Sequence, residues 1–321
     1  MTSTDVIKDI AHRETHHWFL VLFRWRGSVM PAVLPRALCC ALFGALISIL
    51  HDRGWQVSWP VLGGVVPSLV LGLLLVFRTN TAYERFWEGR KLWGQLVNAS
   101  RNLARHIWVA VEERQDQDRA EKIQTLQLLV AFAIALKLHL RGEGLNDDLL
   151  ARVSPRQWQQ LQTMHHPPLE IAFWIADYLQ RGHDRHRINT YELSAMMGLL
   201  DELVNVTGGC ERILKTPIPL AYSVHLKQLL MLYCLSLPFQ VVEATQGWTA
   251  LLVGLVSFTV FGIEEIGIEI ENPFGHDAND LPLDAICQTM ARNIDDLTSL
   301  TPHRCRWQGG EAAGDGHDEA R

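Results

Sequence analysis

The sequence predicts an all-α membrane protein with four transmembrane helices per subunit and a helical domain outside the membrane. Residues 59–77 form a run of nineteen positions without a charge, and a helix needs about 20 apolar residues to cross a bilayer. The whole chain is only 48% hydrophobic and is 20% charged, which fits a few spans attached to a polar helical domain. No stretch shows sustained alternation with a period of two, so helices rather than strands are expected.

Four apolar runs of the sequence are predicted to be transmembrane spans. They are predicted at 33–50, 59–77, 226–242 and 248–263, and the last two are short, as expected for a hairpin that packs against protein. Basic residues cluster before the first span, after the second and before the third. Because Lys and Arg are retained on the cytoplasmic side, both termini and the segment 79–220 are predicted to lie in the cytoplasm.

This topology divides the chain into six segments. They are a cytoplasmic N-terminal helix at 1–32, a transmembrane hairpin at 33–78, a cytoplasmic helical domain at 79–225, a second hairpin at 226–263, cytoplasmic C-terminal helices at 264–306 and a disordered tail at 307–321. The apolar run 126–140 contains Lys137 and His139. It therefore predicts a buried helix of the cytoplasmic domain, with a fifth span as the alternative.

Several classes of function have no support in the sequence. The net charge of −6 offers no basic surface for nucleic acid. The six cysteines form no CxxC pair, and neither His12 with His16 nor His165 with His166 has the third ligand that zinc needs. The chain contains no Walker loop, GxGxxG or GxSxG motif. An enzyme is therefore not expected.

Four ordered motifs carry a family resemblance. The segment 78–105, RTNTAYERFWEGRKLWGQLVNASRNLAR, resembles the signature of the bestrophin family in its bacterial branch. The other motifs are WRGS at 25–28, IPL at 218–220 and NPFG at 272–275. The resemblance implies a homopentameric ion channel with a central pore that is lined by the second span and by cytoplasmic helices. The expected location is the inner (plasma) membrane.

The second span supplies candidate pore residues. Val65, Leu69 and Leu73 are spaced by four, so their side chains stack on one face of the helix. At the positions that match the family's neck, rings of such residues would form a hydrophobic constriction that gates by dewetting. The alternative is that this stripe faces lipid or protein, because the helix is apolar on all sides.

Gly63, Gly64 and Pro67 interrupt the same span. Proline removes a backbone donor, so a kink or break is expected there, and a helix that restarts after Pro67 would point its amides toward the pore and favour an anion. The alternative is a kink that serves helix packing alone.

Charged residues surround the ends of the spans. We expect Arg78, Glu88, Arg90 and Arg101 of the signature helix to serve assembly, since such residues need counter-charges when they pack between subunits. Glutamates crowd the end of span four at 264, 265, 269 and 271. They either pair with these arginines or attract cations to the cytoplasmic vestibule.

Two further sites are expected in the cytoplasmic part. The resemblance places a second constriction near Leu193, Ser194 and Met197. Oxygen donors at Asn272, Asp277 and Asp280 form a possible calcium site. His276 and Asn279 stand where calcium-sensing relatives are acidic, however, and Asp280 also fits an N-cap for a helix that starts at Leu281.

The predicted function is passive conduction of small monovalent ions, most favourably anions such as chloride. The alternatives are a sodium or potassium channel of the same architecture and a non-conducting membrane scaffold. No cofactor is required, and the cap role of Asp280 is favoured over calcium binding. The expected partners are other copies of the chain, membrane lipid and the permeant ions.

Overall fold

The computed structural model describes residues 25, 27–59 and 65–302. The predicted N-terminal helix lies mostly outside this range, as does the predicted tail at 307–321. The described helices, in chain order, are α1 (Met30–Asp52), α2 (Val65–Ala110), α3 (Asp116–Arg141), α4 (Asp147–Leu150), α5 (Pro155–Leu161), α6 (Pro167–Asp184), α7 (Thr190–Lys215), α8 (Leu220–Thr245), α9 (Thr249–Glu269) and α10 (Leu283–Ser299).

These helices form two compact units. The membrane unit comprises the residues up to Phe86 together with Pro217–Asp280, and the helical unit comprises Trp87–Thr216 and the residues from Leu281 onward. The described part of the chain contains helices and no strand. The predicted all-α class is therefore confirmed.

Among the residues that the structure describes, four segments are long and apolar enough to cross a membrane. They are Met30–Asp52, Val66–Ala110, Asp116–Arg141 and Leu220–Glu269. The last segment contains both predicted C-terminal spans, as the separate helices α8 and α9 that flank a short 3-10 turn at Gln246–Trp248. Both helices are longer than the predicted spans, because α8 has 26 residues and α9 has 21. Each helix continues past its apolar run into polar residues.

The helices α1 and α9 pack closely in the membrane unit through small residues. A Cβ atom placed on Gly44 would lie 3.2 Å from the Cβ of Val253, and one placed on Gly254 would lie 3.0 Å from the Cβ of Ala41. Small side chains at such positions let the backbones of two membrane helices approach each other. Side chains from α2 and α8 complete this core, among them Leu71, Leu230 and Cys234.

In the helical unit, α3 lies at the centre. The most apolar stretch of this helix is 78% buried inside the structure, which favours the predicted buried helix over a fifth span. Lys137 is buried, and its Nζ donates to Asp284 of α10 at 2.7 Å, while Arg141 reaches the other oxygen of the same carboxylate at 3.0 Å. These hydrogen bonds hold the pKa of Asp284 below its usual value despite partial burial. The two ion pairs fix α10 on α3.

Candidate functional site

The predicted pore helix α2 has two different faces in the membrane unit. Leu71 and Leu75 are only 5% and 4% exposed and pack into the core of this unit. Leu69 and Leu73 lie on the opposite face and are 60% and 50% exposed. Val65 begins the described helix, four residues before Leu69. Leu69 and Leu73 of the predicted neck therefore point away from the core of the membrane unit.

The predicted break at Pro67 differs from the structure. Val65 and Val66 are already helical, so α2 does not restart after Pro67. The described part of α2 therefore includes Pro67 without an interruption at that position. Gly63 and Gly64 lie outside the described residues.

Arg78 marks the change from the apolar to the charged part of α2. Its side chain is 4% exposed, and its Nη2 lies 2.6 Å from Glu271 Oε2. The other carboxylate oxygen of Glu271 accepts the Ile218 backbone N–H at 2.9 Å. The backbone carbonyl of Glu271 accepts from Arg85 Nε at 3.1 Å. One arginine–glutamate pair thus connects α2 to the segments that precede α8 and follow α9.

The other glutamates at the end of α9 are also in contact with polar groups. Glu265 Oε2 lies 2.8 Å from Arg36 Nη1. The carboxylate of the buried Glu264 lies 4.0 Å from both Arg36 Nη1 and Lys227 Nζ. Glu269 accepts from the Asn279 side chain at 2.6 Å. These contacts favour the ion-paired interpretation of the acidic residues over a free cation-attracting surface.

The remaining signature residues lie on the surface of the helical unit. Arg90 and Arg101 are exposed, and no ion pair to either is seen among the residues the structure describes. Glu88 is paired with Arg212 of α7, at 2.5 Å between Oε1 and Nη2. Arg90 and Arg101 are therefore accessible on the exterior of a single chain.

The predicted ligands in the segment 272–280 stabilise a turn. Asp280 Oδ2 accepts the Asp277 backbone N–H at 2.7 Å, and Asn272 Oδ1 accepts the Phe274 N–H at 3.4 Å. A Cβ atom on Gly275 would lie 2.7 Å from Asp280 Oδ2, so a side chain at this position would require the Asp280 carboxylate to move. The predicted N-cap role of Asp280 is wrong, because α10 begins at Leu283 and its N-cap residue is Pro282. The carboxylate bonds to an amide that precedes it in the chain.

The predicted second constriction falls in the first turns of α7. Ser194 is exposed, whereas Leu193 and Met197 are half-buried. The side chain of Asn189 caps this helix by accepting the Glu192 N–H at 2.9 Å. Of the three candidates, Ser194 is the most exposed.

The sequence analysis missed one group of potential ligands. His139, His166 and Glu211 come from three different helices or helix ends, and their ligand atoms lie within 4.8 Å of one another. Burial opposes ionisation of Glu211, but hydrogen bonds from Lys215, His139 and His166 outweigh it and lower its pKa to about 2. No short-range spacing signals this group. Its sequence indications were a histidine within the buried run 126–140 and the pair His165–His166, which lacked a third ligand nearby in the sequence.

A unit of long apolar helices and a second, helical unit in the same chain define a polytopic α-helical membrane protein. Residues 9–296 match the family described as Bacterial/Fungal Bestrophin protein. The chain belongs to the bacterial and fungal bestrophin family. The predicted resemblance is therefore confirmed, and the protein is of a channel class rather than an enzyme.

Known relatives extend over nearly the whole chain. The Voltage-dependent anion channel-forming protein alr2987 of Nostoc sp. is 62% identical over 287 residues, which cover 89% of this chain and 94% of the relative. The Voltage-dependent anion channel-forming protein YneE of Escherichia coli is 31% identical over 282 residues, covering 87% and 90%. The crystal structure of a variant of a bacterial Bestrophin homolog from Klebsiella pneumoniae covers 84% of this chain and all of its own, with a TM-score of 0.78 and 28% identity.

Proposed function

We propose that the protein is a homopentameric channel that conducts small monovalent anions such as chloride. In this proposal Val65, Leu69 and Leu73 of five copies form a hydrophobic neck around the symmetry axis. The observation that carries it is the direction of Leu69 and Leu73, which are exposed on the face of α2 opposite its buried residues. An ion that passes such a neck loses part of its hydration shell, so the neck sets the barrier to conduction.

Anion conduction is favoured over cation conduction for two reasons. Relatives over most of the chain are named as anion channel-forming proteins. In addition, Glu264, Glu265 and Glu271 contact basic side chains of the same unit, which reduces the negative field available to a cation. The aliphatic neck itself has no preference for either sign of charge.

The proposed orientation follows from the distribution of basic residues. Both termini and the helical unit face the cytoplasm, and the protein spans the inner (plasma) membrane several times. The exposed constriction candidate Ser194, flanked by Leu193 and Met197, then lies on the cytoplasmic part of the ion path. In the proposed pentamer, the α2 helices of the other four copies complete the wall of the pore.

No cofactor is required by this proposal. Calcium binding at Asn272, Asp277 and Asp280 is not favoured, because the backbone amide of Asp277 already occupies one oxygen of Asp280. Instead, hydrogen bonds within residues 272–280 stabilise the turn at the end of the membrane unit.

The decisive test is the reversal potential of the purified protein in a planar bilayer under a potassium chloride gradient. A reversal near the chloride potential is the expected result. A reversal near the potassium potential would contradict anion selectivity and indicate a cation channel of the same architecture. Absence of current from protein that is pentameric by mass measurement would instead indicate a non-conducting scaffold.

A further inference from the structure

A cluster of two histidines and one glutamate lies in the helical unit, outside the pore segment. His139 is on α3, His166 precedes α6 and Glu211 is on α7. The Nε2 atoms of His139 and His166 lie 2.6 and 2.9 Å from the same atom, Glu211 Oε1. In the part of the chain that the structure describes, no other group of three or more His, Cys, Asp or Glu side chains meets this closely.

The ligand types match a borderline transition metal. Imidazole nitrogens and a carboxylate oxygen bind zinc at about 2.0–2.2 Å, and an ion with three protein ligands keeps a fourth position for water. Around a tetrahedral ion with such bonds, neighbouring ligand atoms are about 3.4 Å apart. The observed 2.6 and 2.9 Å separations therefore need to open by less than about 1 Å. Hard cations such as calcium prefer six to eight oxygens and do not match this set.

The three side chains come from well-packed positions. Leu138 and Leu140 on either side of His139 are 2% and 3% exposed, and Cys210 beside Glu211 is fully buried. His166 is the N-cap residue of α6 and is followed by two prolines. A site held by rigid elements loses little conformational entropy when it binds an ion.

A hydrogen bond within α7 orients the Glu211 carboxylate. Lys215 Nζ occupies the other oxygen, Oε2, at 3.0 Å, so Oε1 is directed to the histidines. The bond to Lys215 is a hydrogen bond from outside the ligand set, of the kind that orients metal-binding carboxylates.

Binding requires one exchange of hydrogen bonds at His166. The Leu169 N–H donates to His166 Nδ1 at 3.2 Å, so the proton of the neutral ring is on Nε2. A metal at Nε2 moves this proton to Nδ1, and the ring must turn away from the Leu169 amide. That amide keeps its bond to the His166 carbonyl at 3.1 Å, so the start of α6 is not left without an acceptor.

The cluster is accessible from solvent. The side chains of His139, His166 and Glu211 are 23%, 35% and 19% exposed. His139 lines a cavity of about 560 Å³ that also contains His165 and Trp158. His166 and Glu211 line a neighbouring cavity of about 150 Å³. An ion and its water ligand can therefore reach the Nε2 and Oε1 atoms.

We propose that His139, His166 and Glu211 bind a divalent transition metal ion of the zinc class, with water in the fourth position. The ion joins α3, α6 and α7 within one chain. Neither the neck nor the selectivity of the pore depends on this proposal.

The test is titration of the chelator-treated, full-length protein in detergent with zinc chloride by calorimetry. We expect one zinc ion per chain at this site, and a loss of affinity of at least about 100-fold in His139→Gln and in His166→Gln. His165→Gln is the matched control, because this neighbouring histidine lines the same cavity without belonging to the cluster. Equal zinc affinity in all three variants and the wild type would overturn the proposal.

Cobalt chloride gives an independent readout. Tetrahedral cobalt(II) absorbs strongly in the visible region, whereas hexahydrated cobalt(II) does so weakly, and zinc should displace the bound cobalt. The spectrum should be lost in Glu211→Gln, with circular dichroism confirming that the variant is folded. A spectrum that survives in Glu211→Gln, or that calcium abolishes as readily as zinc, would contradict the assigned ligands and metal class.

Discussion

Arg78 and Glu271 lie 193 residues apart in the sequence, and their side chains are 2.6 Å apart in the membrane unit. The arginine is almost completely buried, whereas the glutamate keeps 19% of its side chain exposed. A guanidinium at this depth needs a counter-charge, because an unpaired buried charge is strongly destabilising. Glu271 supplies it and at the same time fixes the start of α8 through the Ile218 amide.

Arg78→Ala should destabilise the protein by about 3–5 kcal/mol, since it removes one member of a buried ion pair. Arg78→Lys should have a smaller effect, because the charge remains but the planar donor group is lost. Denaturant unfolding of the detergent-solubilised protein measures both. Arg53→Ala, which removes an exposed arginine of the same unit, should have little effect. Similar losses in Arg78→Ala and Arg53→Ala would show that the pair contributes no special stability.

Leu69→Ala should increase conductance several-fold, because a smaller side chain widens the proposed neck and lowers the cost of ion dehydration. A charged residue at the same position should change selectivity as well. Leu255→Ala is the control, since Leu255 of α9 is 62% exposed, close to the 60% of Leu69. Single-channel recording in planar bilayers measures the conductance and the ion selectivity. Unchanged conductance in Leu69→Ala would remove Leu69 from the neck.

Arg90→Ala and Arg101→Ala should each shift the solubilised particle toward the monomer. Both side chains are exposed in a single chain, and the proposed pentamer would provide their counter-charges from neighbouring subunits. Native mass measurement reports the distribution of oligomers. Arg156→Ala, an exposed arginine on α5, should leave the distribution unchanged. Intact pentamers in both α2 variants would rule out the assembly role.

Glu211→Gln should lower the unfolding temperature at neutral pH and have a smaller effect at acidic pH. The pKa of Glu211 is lowered from 4.5 to about 2 on folding, so its stabilising contribution is present above pH 4.5 and is lost as the pH falls toward 2. The difference in unfolding temperature between wild type and variant should therefore shrink below pH 4.5. Thermal unfolding in metal-free buffer tests this, with Glu202→Gln as the exposed control on the same helix. A difference that stays constant with pH would contradict the ion-paired assignment.

Gly275→Ala should destabilise the turn at the end of the membrane unit by about 1–3 kcal/mol. The added methyl group would lie 2.7 Å from Asp280 Oδ2, closer than any ordinary contact. Gly72→Ala is suitable as a comparison, because nothing lies within 4 Å of a Cβ at Gly72. Thermal unfolding of the two variants gives the comparison. Equal stability would mean that Asp280 can move away without cost.

The apolar runs were sufficient to predict the helices of the membrane unit but not their ends. The third span was predicted at 226–242, whereas α8 extends over Leu220–Thr245. Hydropathy reports where apolar side chains occur, and backbone hydrogen bonding continues past them into polar residues such as His225 and Glu243. The buried nature of α3 could be inferred, because Lys137 and His139 interrupt its apolar run.

Contacts between residues far apart in the sequence could not be predicted from hydropathy or periodicity. His139 and Glu211 are 72 residues apart, and His166 and Glu211 are 45 apart. No periodicity within a helix specifies which residues of two other helices will face it. The same holds for Asp280, whose residue type and position fit an N-cap equally well until the start of α10 is known.

The close packing of α1 against α9 has a consequence for biosynthesis. Among the described membrane helices, α1 comes first and α9 last in chain order, and the contact between Gly44 and Val253 joins them. The membrane core therefore stays incomplete until translation has passed residue 269. Until then α1 exposes its small-residue face to lipid, so a truncated chain that ends before α9 should be a substrate for membrane quality-control proteases rather than a stable fragment.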